Sequence, residues 1–309
     1  MTPRSWARPR RMLLVANPVA RTVSRPVLDV IEKAFAADFE VVVDETTRQD
    51  HATEIARQAV AEGFDMMVVF SGDGTVNEAV NGLAGGDVAL GVLPGGATNV
   101  LARAVGMPQD PVEATGVLIG AAVEGRATRI ALGSADGRRF AINCGVGIDA
   151  DAMARVDERR AKSRAQFERA ALGAVLKLAV GTYAGMKPFL EVSVDGRPAT
   201  AAVSVVAGRT NPYSYFRNLG LRLTPQAALD DGLDVTTLLR LNRRSMPRLA
   251  RQVFSGSIVK RKDVDYVHGA SSVEVVGTRP FPVQMDGDYL GTRERLSIGL
   301  EGDALWLVA

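Results

Sequence analysis

An aspartate between two glycines marks the point where an apolar run gives way to a helical pattern, in the stretch FSGDGTVNEAVN. Met66 to Phe70 form the apolar run, which suits a buried strand. Thr75 and Glu78 have the spacing of a capping box, so we expect the helix to begin at Thr75. Gly72 and Gly74 would let the turn present unpaired N–H groups, which are a natural seat for phosphate.

The acid of this turn, Asp73, needs a positive charge between itself and any phosphate. Mg²⁺ bridges carboxylate and phosphate oxygens well, so a metal ion is the simplest candidate. The alternative is a turn aspartate that bonds its own backbone. The surrounding motif favours the functional interpretation, and Asn77 and Glu78 are expected to face back toward the turn. Glu78 is equally well explained as the capping partner of Thr75.

Three further stretches carry residues that could do chemistry. Gly95 and Gly96, in LPGGATN, would let the backbone approach a phosphate closely. The stretch ALDDGLDV places two acids and a glycine at the start of a strand, and QMDGDYLG contains the strong turn dipeptide Asp-Gly. Asp286 and Gly287, taken alone, are better explained as a hairpin turn.

The elements that must position these residues change character near residue 136. Before it, apolar strands alternate with helical patterns, which indicates a parallel sheet with flanking helices and a ligand at the carboxyl ends of its strands. After it, short β-like runs separated by turns indicate an antiparallel sandwich or barrel. Helical segments at about 149–183 and 244–260 interrupt this second region.

Composition restricts the class of protein. The chain has 309 residues, of which 47% are hydrophobic and 23% are charged, as in a globular protein. A net charge of +2 gives no argument for a nucleic-acid partner. The single cysteine, Cys144, excludes an intramolecular disulfide framework, and no apolar window is long enough to span a membrane. We expect a cytoplasmic protein.

These residues resemble the diacylglycerol kinase catalytic-domain family, in its bacterial soluble lipid kinase branch, whose fold is shared with NAD kinase. The similarity begins with ANP at Ala16 to Pro18 and continues through SGDGTVNEAVNG and LGVLPGGATNVLARAVGMP. It extends over FAINCGVGIDADA, LTPQAALDDGLDV and MDGD, and so covers nearly the whole chain. Six matching stretches in the right order are far more specific than one glycine turn.

The resemblance implies an NAD kinase-like α/β domain over residues 11–132 and a mainly antiparallel β-sandwich, lipid-binding domain over residues 136–302. The last strand, at about 303–309, should return to the first domain. It also implies an ATP-dependent transfer of the γ-phosphoryl group to a lipid hydroxyl, most simply that of diacylglycerol. Two alternatives remain open: an NAD kinase-like enzyme, and a catalytically weak protein that binds lipid or nucleotide.

The resemblance also implies roles for individual residues. Asp73 and Asp288 would be catalytic, with Asp288 at the position of a family glutamate that acts as general base and one methylene shorter. The nucleotide-binding residues would be Asn17, Thr46, Gly72, Asp73, Gly74, Thr75, Asn77, Glu78, Gly96, Thr98 and Asn99. Many relatives have Gly-Thr-x-Asn-Asp-Phe in the second glycine loop, so Thr98 would supply the hydroxyl where Ala97 replaces a threonine. Asn17 has a second interpretation, as a cap of the helix that follows.

A structural Mg²⁺ is a further implication of the resemblance. Asp231 would be its side-chain ligand, and the carbonyl groups of Ala228 and Leu233 would help to complete its oxygen shell. A plain type I turn that binds no metal explains the same residues. The expected cofactors are therefore Mg²⁺ and ATP as phosphoryl donor.

The expected partner is a lipid substrate at a membrane surface, without nucleic acid. Such an enzyme would associate transiently with the inner face of the membrane, and a homodimer is compatible with the sequence. The stretch RRAKSRAQFERAALGAVLKLAVGTYAG begins basic and becomes apolar. It is either a helix packed on the sandwich or, in part, a peripheral membrane contact.

Overall fold

The structure is a computed structural model that describes residues 6–157, 164–216 and 218–309. The chain divides into two compact units. The first runs to Leu132 and includes Glu301–Ala309, and the second is Gly133–Leu300. The α/β fold with an antiparallel β-sandwich that the sequence predicts is confirmed.

The first unit is built on a parallel sheet with the order β2-β1-β3-β4. Its strands are β1 (Arg11–Ala16), β2 (Glu40–Glu45), β3 (Met66–Ser71) and β4 (Ala89–Pro94). Every residue of β3 and β4 is buried, as expected for apolar runs in the interior of a parallel sheet. The end of the last strand, β16 (Asp288–Val308), continues this sheet, with Leu307 beside Leu90 in a parallel pair.

Five helices follow the strands of this unit. They are α1 (Arg25–Ala36), α2 (His51–Ala61), α3 (Asp73–Leu83), α4 (Val100–Ala104) and α5 (Pro111–Val123). The expected start of α3 at Thr75 is wrong, because the helix begins at Asp73 with Gly72 as its N-cap. Helices α2 and α3 pack on each other, and α1 packs on α5. Phe35 and Phe70 are fully buried in this core, and burial of such a side chain contributes about 1.5–3 kcal/mol.

The second unit contains an antiparallel sheet with the order β14-β13-β10-β7-β15-β16, to which β8 and β9 add beside β15. Its strands are β7 (Asn143–Val146), β8 (Leu190–Val194), β9 (Thr200–Ala202), β10 (Ser204–Gly208), β13 (Leu233–Leu238), β14 (Val264–Ala270), β15 (Ser272–Met285) and the start of β16. Strand β5 (Ala127–Ala135) enters from the first unit and pairs with β6 (Arg138–Phe140). A separate hairpin joins β11 (Ser214–Phe216) and β12 (Leu219–Leu221).

The helices of the second unit correspond to the two segments expected from the sequence. They are α6 (Ile148–Asp157), α7 (Arg164–Leu178) with a π-helical turn at Ala179–Tyr183, and α8 (Met246–Ser255), which lies between short 3₁₀ turns. Residues 159–163, the basic start of the stretch RRAKSRAQFERAALGAVLKLAVGTYAG that offered a possible membrane contact, lie outside the described residues. In the part of the chain that the structure describes, no helix is both long and apolar enough to cross a membrane.

Candidate active site

Two glycine turns meet at the carboxyl ends of β3 and β4. A Cβ atom on Gly96 would lie 2.4 Å from Gly72 Cα, and one on Gly95 would lie 2.5 Å from Ser71 Cα. Since no real Cβ atom tolerates such contacts, glycine is required there because two backbones pack directly against each other. The turns that the sequence predicted as phosphate-binding are therefore one structure, held by main-chain packing.

Asp73 joins the two turns through its carboxylate. Oδ2 accepts a hydrogen bond from Thr98 Oγ1 at 2.7 Å, and Oδ1 accepts one from Leu101 N at 3.3 Å. Burial raises the pKa of Asp73, and the hydrogen bonds to the charged form oppose that rise. Among the described residues no Lys or Arg side chain forms an ion pair with it. Backbone N–H groups of Asn99 and Val100 also hydrogen-bond the carboxylate, so it meets the start of α4. A buried carboxylate that forms no ion pair with a described Lys or Arg side chain is compatible with a bound cation.

Asn17 lies beside the first turn. Its Nδ2 donates to Thr75 Oγ1 at 3.1 Å, and the same oxygen accepts from Ser71 Oγ at 2.9 Å. The second interpretation of Asn17 is wrong, because α1 begins at Arg25 and Asn17 Oδ1 accepts from Val19 N instead. Asn17 therefore belongs to the glycine turns.

Thr46 and Asn99 complete this edge of the sheet. Thr46 follows β2, is buried, and donates its N–H to Ala16 O at 2.9 Å, next to Asn17. Asn99 adopts a left-handed conformation at the start of α4, with φ of 48°, and its Oδ1 accepts from Gly96 N at 2.8 Å. The Asn99 side chain thus bridges the second glycine turn through its hydrogen bond with Gly96.

Asn77 and Glu78 differ from the other predicted residues in what they contact. Glu78 Oε2 accepts from Ala52 N at 3.1 Å, at the start of α2, so the carboxylate ties two helices together. Asn77 is buried, and its backbone and side-chain oxygens accept from Asn81 Nδ2. Their predicted contacts with a nucleotide gain no support from these interactions.

The acidic turn before β13 is organised around an arginine. Arg209 is fully buried and donates to the carbonyl oxygens of Leu229 at 2.5 Å, of Gly232 at 2.8 Å, and of Asp231. Burial lowers the pKa of Arg209 to about 10, although the negative charges of the neighbouring aspartates act to raise it. Its guanidinium therefore stays charged at neutral pH.

The predicted ligands of a structural Mg²⁺ are engaged within the protein. Asp231 Oδ1 accepts from Gly232 N at 2.7 Å, its Oδ2 lies 3.2 Å from His268 Nε2, and Ala228 O accepts from Asp231 N at 3.2 Å. Among the described residues no group of three or more His, Cys, Asp or Glu side chains could hold a metal. Arg209 and His268 thus supply positive or donor groups at this turn, and the metal site at Asp231, Ala228 and Leu233 stays a prediction.

Asp288 and Asp286 occupy the β15–β16 hairpin with different roles. Asp286 and Gly287 form the turn, with φ of 48° and 91°, as the sequence predicts. The buried Asp286 carboxylate accepts three backbone hydrogen bonds, from the N–H groups of Ala141, Ile142 and Asn143, at 2.8–2.9 Å. Asp288 begins β16, is partly exposed, and accepts from Arg138 Nη2 at 2.5 Å.

Sequence reasoning missed a buried polar cluster in the second unit, centred on Asp149. Tyr213 Oη and Gln284 Nε2 donate to Asp149 Oδ2 at 2.9 Å and 3.0 Å, and Gln284 also donates to Asn143 Oδ1. Burial raises the pKa of Asp149, and Oδ1 has no hydrogen-bond partner among the described residues. An acid shortly after an apolar strand and a glycine, as in GVGIDA, is the pattern that could have revealed it.

Comparison with known proteins agrees with this architecture. Residues 11–135 match the diacylglycerol kinase catalytic domain, and residues 143–298 match the YegS C-terminal NAD kinase beta sandwich-like domain. The chain is 26% identical to the diacylglycerol kinase of Bacillus subtilis (strain 168), over 91% of each chain. It is 27% identical to that of Staphylococcus carnosus (strain TM300), over 91% of this chain and 90% of the relative.

Solved structures show the same fold. A crystal structure of a diacylglycerol kinase from Bacillus anthracis str. Sterne superposes with a TM-score of 0.71 at 20% identity, and covers 98% of this chain and 97% of that one. The two domain matches together span both units, in the order that the sequence predicted. The chain belongs to the diacylglycerol kinase catalytic-domain family, a family of lipid kinases for which ATP is the implied phosphoryl donor.

Proposed function

We propose that this protein transfers the γ-phosphoryl group of ATP to the hydroxyl group of a lipid, and that the acceptor is diacylglycerol. The observation that carries the proposal is the pair of glycine turns locked backbone to backbone, with Asp73 bonded across them to Thr98. Main-chain N–H groups at the start of α3 suit phosphate oxygens, because a helix N-terminus leaves its first donors unsatisfied.

Asp73 and a bound Mg²⁺ would act together on the phosphates. When bound, Mg²⁺ supplies charge neutralisation for the transferring group. Asp73 would hold the cation beside the turn, and the cation would favour the charged form of the carboxyl group, which burial disfavours. Asn17, Thr46, Thr98 and Asn99 would position the nucleotide around the same edge of the sheet.

Asp288 would accept the proton of the acceptor hydroxyl as general base. The ion pair with Arg138 occupies Oδ2, so proton transfer would use Oδ1. A general base must come within about 2.6–3.2 Å of the group that it deprotonates, directly or through one water. The lipid acceptor would be met at the inner face of a membrane, by a protein that stays in the cytoplasm.

The pairing of Asp288 with Arg138 also favours a second candidate, a protein that binds nucleotide or lipid with little turnover. A carboxylate held by a guanidinium and one methylene shorter than the family glutamate has less reach toward a substrate. Measured turnover separates this candidate from the kinase.

The test is phosphorylation from γ-labelled ATP and Mg²⁺ across a panel of diacylglycerol, sphingosine, ceramide and phosphatidylglycerol, with NAD as control. We expect labelled phosphatidic acid and the highest kcat/KM with diacylglycerol. Label on NAD alone would identify an NAD kinase and overturn the proposal. Nucleotide binding by calorimetry without label on any acceptor would favour the binding protein.

A further inference from the structure

A strongly basic stretch lies around helix α8. Residues 240–262 contain eight Arg and Lys residues and no acid, whereas the rest of the chain contains 29 basic and 35 acidic residues. A concentration of one sign of charge in an otherwise acidic chain creates a local positive potential. Residues 240–262 lie in the second unit and are not part of the proposed nucleotide site, which lies in the first unit.

Helix α8 has one face on the core and one face in solvent. Met246 and Leu249 pack against the hydrophobic core of the second unit. Arg248, Arg251 and Phe254 recur at intervals of three residues along the other face, and all are exposed. Since residues three and four apart share one side of a helix, the outer face of α8 presents arginines in a row that ends in an aromatic ring.

These arginines lack acidic partners. The nearby ion pair is that of Arg261 with Asp263 at 2.6 Å, and among the described residues none is formed by Arg244, Arg248 or Arg251. An exposed arginine without an ion pair keeps its full charge toward solvent, because no neighbouring carboxylate offsets it. The charge of this face is available to a partner.

Two exposed apolar side chains accompany the arginines. Phe254 is 38% exposed, and Leu219 on β12, the strand that packs against α8, is 60% exposed. Basic residues with neighbouring large apolar side chains suit the interface of an anionic bilayer, where arginines meet phosphates and the apolar groups enter the acyl boundary. Nucleic acid would use the charge but would leave these two side chains in water.

We propose that the outer face of α8, formed by Arg248, Arg251 and Phe254, docks on a bilayer rich in anionic phospholipid, together with Arg244 on the preceding 3₁₀ turn and Leu219 on β12. The inference deepens the proposed function, on which it rests, because a lipid kinase must reach an acceptor that stays in a membrane. The surface differs from the segment 159–185 considered from the sequence.

The test is co-sedimentation of the full chain with sucrose-loaded vesicles, of phosphatidylcholine alone or with about 30% phosphatidylglycerol. We expect binding only to the anionic vesicles, weakened by high salt because exposed charges are screened. The double variant R248E/R251E should bind at least about tenfold more weakly, since each basic residue near the surface contributes substantially to binding. Phe254→Ser should weaken binding without changing the charge.

The matched control is R197E/R295E, which makes the same charge change at exposed arginines on the β8–β9 turn and on β16. This control should bind anionic vesicles like wild type. Equal loss in both double variants, equal binding to neutral vesicles, or binding to a DNA duplex with no binding to vesicles would overturn the proposal.

Kinase activity is measured separately, on diacylglycerol dispersed in detergent. R248E/R251E should keep wild-type turnover there, since its change lies on the docking surface. If wild type phosphorylates no lipid but still binds anionic vesicles through α8, the proposed function fails and the docking surface stands. If turnover is high but R248E/R251E binds vesicles normally, only the docking surface fails.

Discussion

Arg138 Nη2 donates to Asp288 Oδ2 at 2.5 Å, between β6 and the start of β16. Both side chains are partly exposed, by 26% and 40%, and an exposed ion pair stabilises a fold by at most about 1 kcal/mol. The more important consequence is chemical. The pair orients the carboxylate and leaves Oδ1, which accepts no hydrogen bond from a described residue, as the oxygen that could take a proton.

Replacing Asp288 with Asn tests its role as base, because the amide keeps the shape but cannot accept a proton at neutral pH. We expect kcat to fall at least about 100-fold while ATP affinity, measured by calorimetry, is unchanged. Asp288→Glu should retain part of the activity, since the family uses glutamate at this position. Glu294→Gln, an exposed change in the same strand, is the control. Full turnover by Asp288→Asn would place the base elsewhere.

Asp73→Asn should lower kcat by about 100-fold or more, because it removes the charge proposed to hold the cation at the phosphates. Thermal stability should not fall in parallel. Burial raises the pKa of Asp73, so the ionised form costs folding free energy at neutral pH, and the amide can still accept a hydrogen bond. Asp44→Asn, at an exposed site on β2, should change neither quantity. Near wild-type kcat in Asp73→Asn would refute the assignment.

Gly96→Ala should destabilise the first unit and impair nucleotide binding. Its Cβ would lie 2.4 Å from Gly72 Cα, so one turn must move, at a cost of about 1–3 kcal/mol. Gly116→Ala is the matched control, because nothing lies within 4 Å of that Cβ and the site is inside α5. The free energy of unfolding of Gly116→Ala should rise by up to about 1 kcal/mol, because alanine favours a helix interior more than glycine does. Urea denaturation measures both, and equal stability of the two variants would contradict the close contact.

Arg209→Met should lower the free energy of unfolding by about 3 kcal/mol or more. The change leaves carbonyl groups of Leu229, Asp231 and Gly232 without their donor, and each buried unsatisfied group costs about 1–3 kcal/mol. Since the guanidinium neutralises this turn, added Mg²⁺ should not raise the Tm of the nucleotide-free wild type. A Tm increase with Mg²⁺ that disappears in Asp231→Ala would instead establish the metal site.

Asp149→Asn should alter how stability depends on pH. Burial raises the pKa of Asp149 above its unfolded value, so its favourable contribution is complete at low pH and is lost as pH rises through the folded-state pKa. Asn does not ionise, so the free energy of unfolding of the variant should increase relative to wild type as pH rises above the unfolded-state pKa of Asp149 toward its raised folded-state pKa. Tyr213→Phe removes a donor to the charged form of Asp149. The free energy of unfolding of this variant should therefore fall more than that of wild type over the same rise in pH. A constant difference between Asp149→Asn and wild type would contradict the assignment.

The sequence alone determined the fold class and the location of the two glycine turns. Both depend on local patterns: apolar runs that alternate with helical periods, and glycines at the ends of strands. Gly72, Asp73 and Gly96 could be found in this way because the turn chemistry is contained in a few consecutive residues. The order of the family motifs then identified the family.

Only the tertiary structure decided how the polar side chains are paired. Arg209 meets a turn about 20 residues later, Glu78 meets α2, and Asp149 meets Gln284 and Tyr213 from distant strands. Periodicity shows which face of an element a residue occupies, but it does not show which distant segment will satisfy a buried polar group. That depends on how the elements pack. The sequence therefore predicted a metal at an acidic turn, but it did not show that the Arg209 guanidinium donates to carbonyl groups of the same turn.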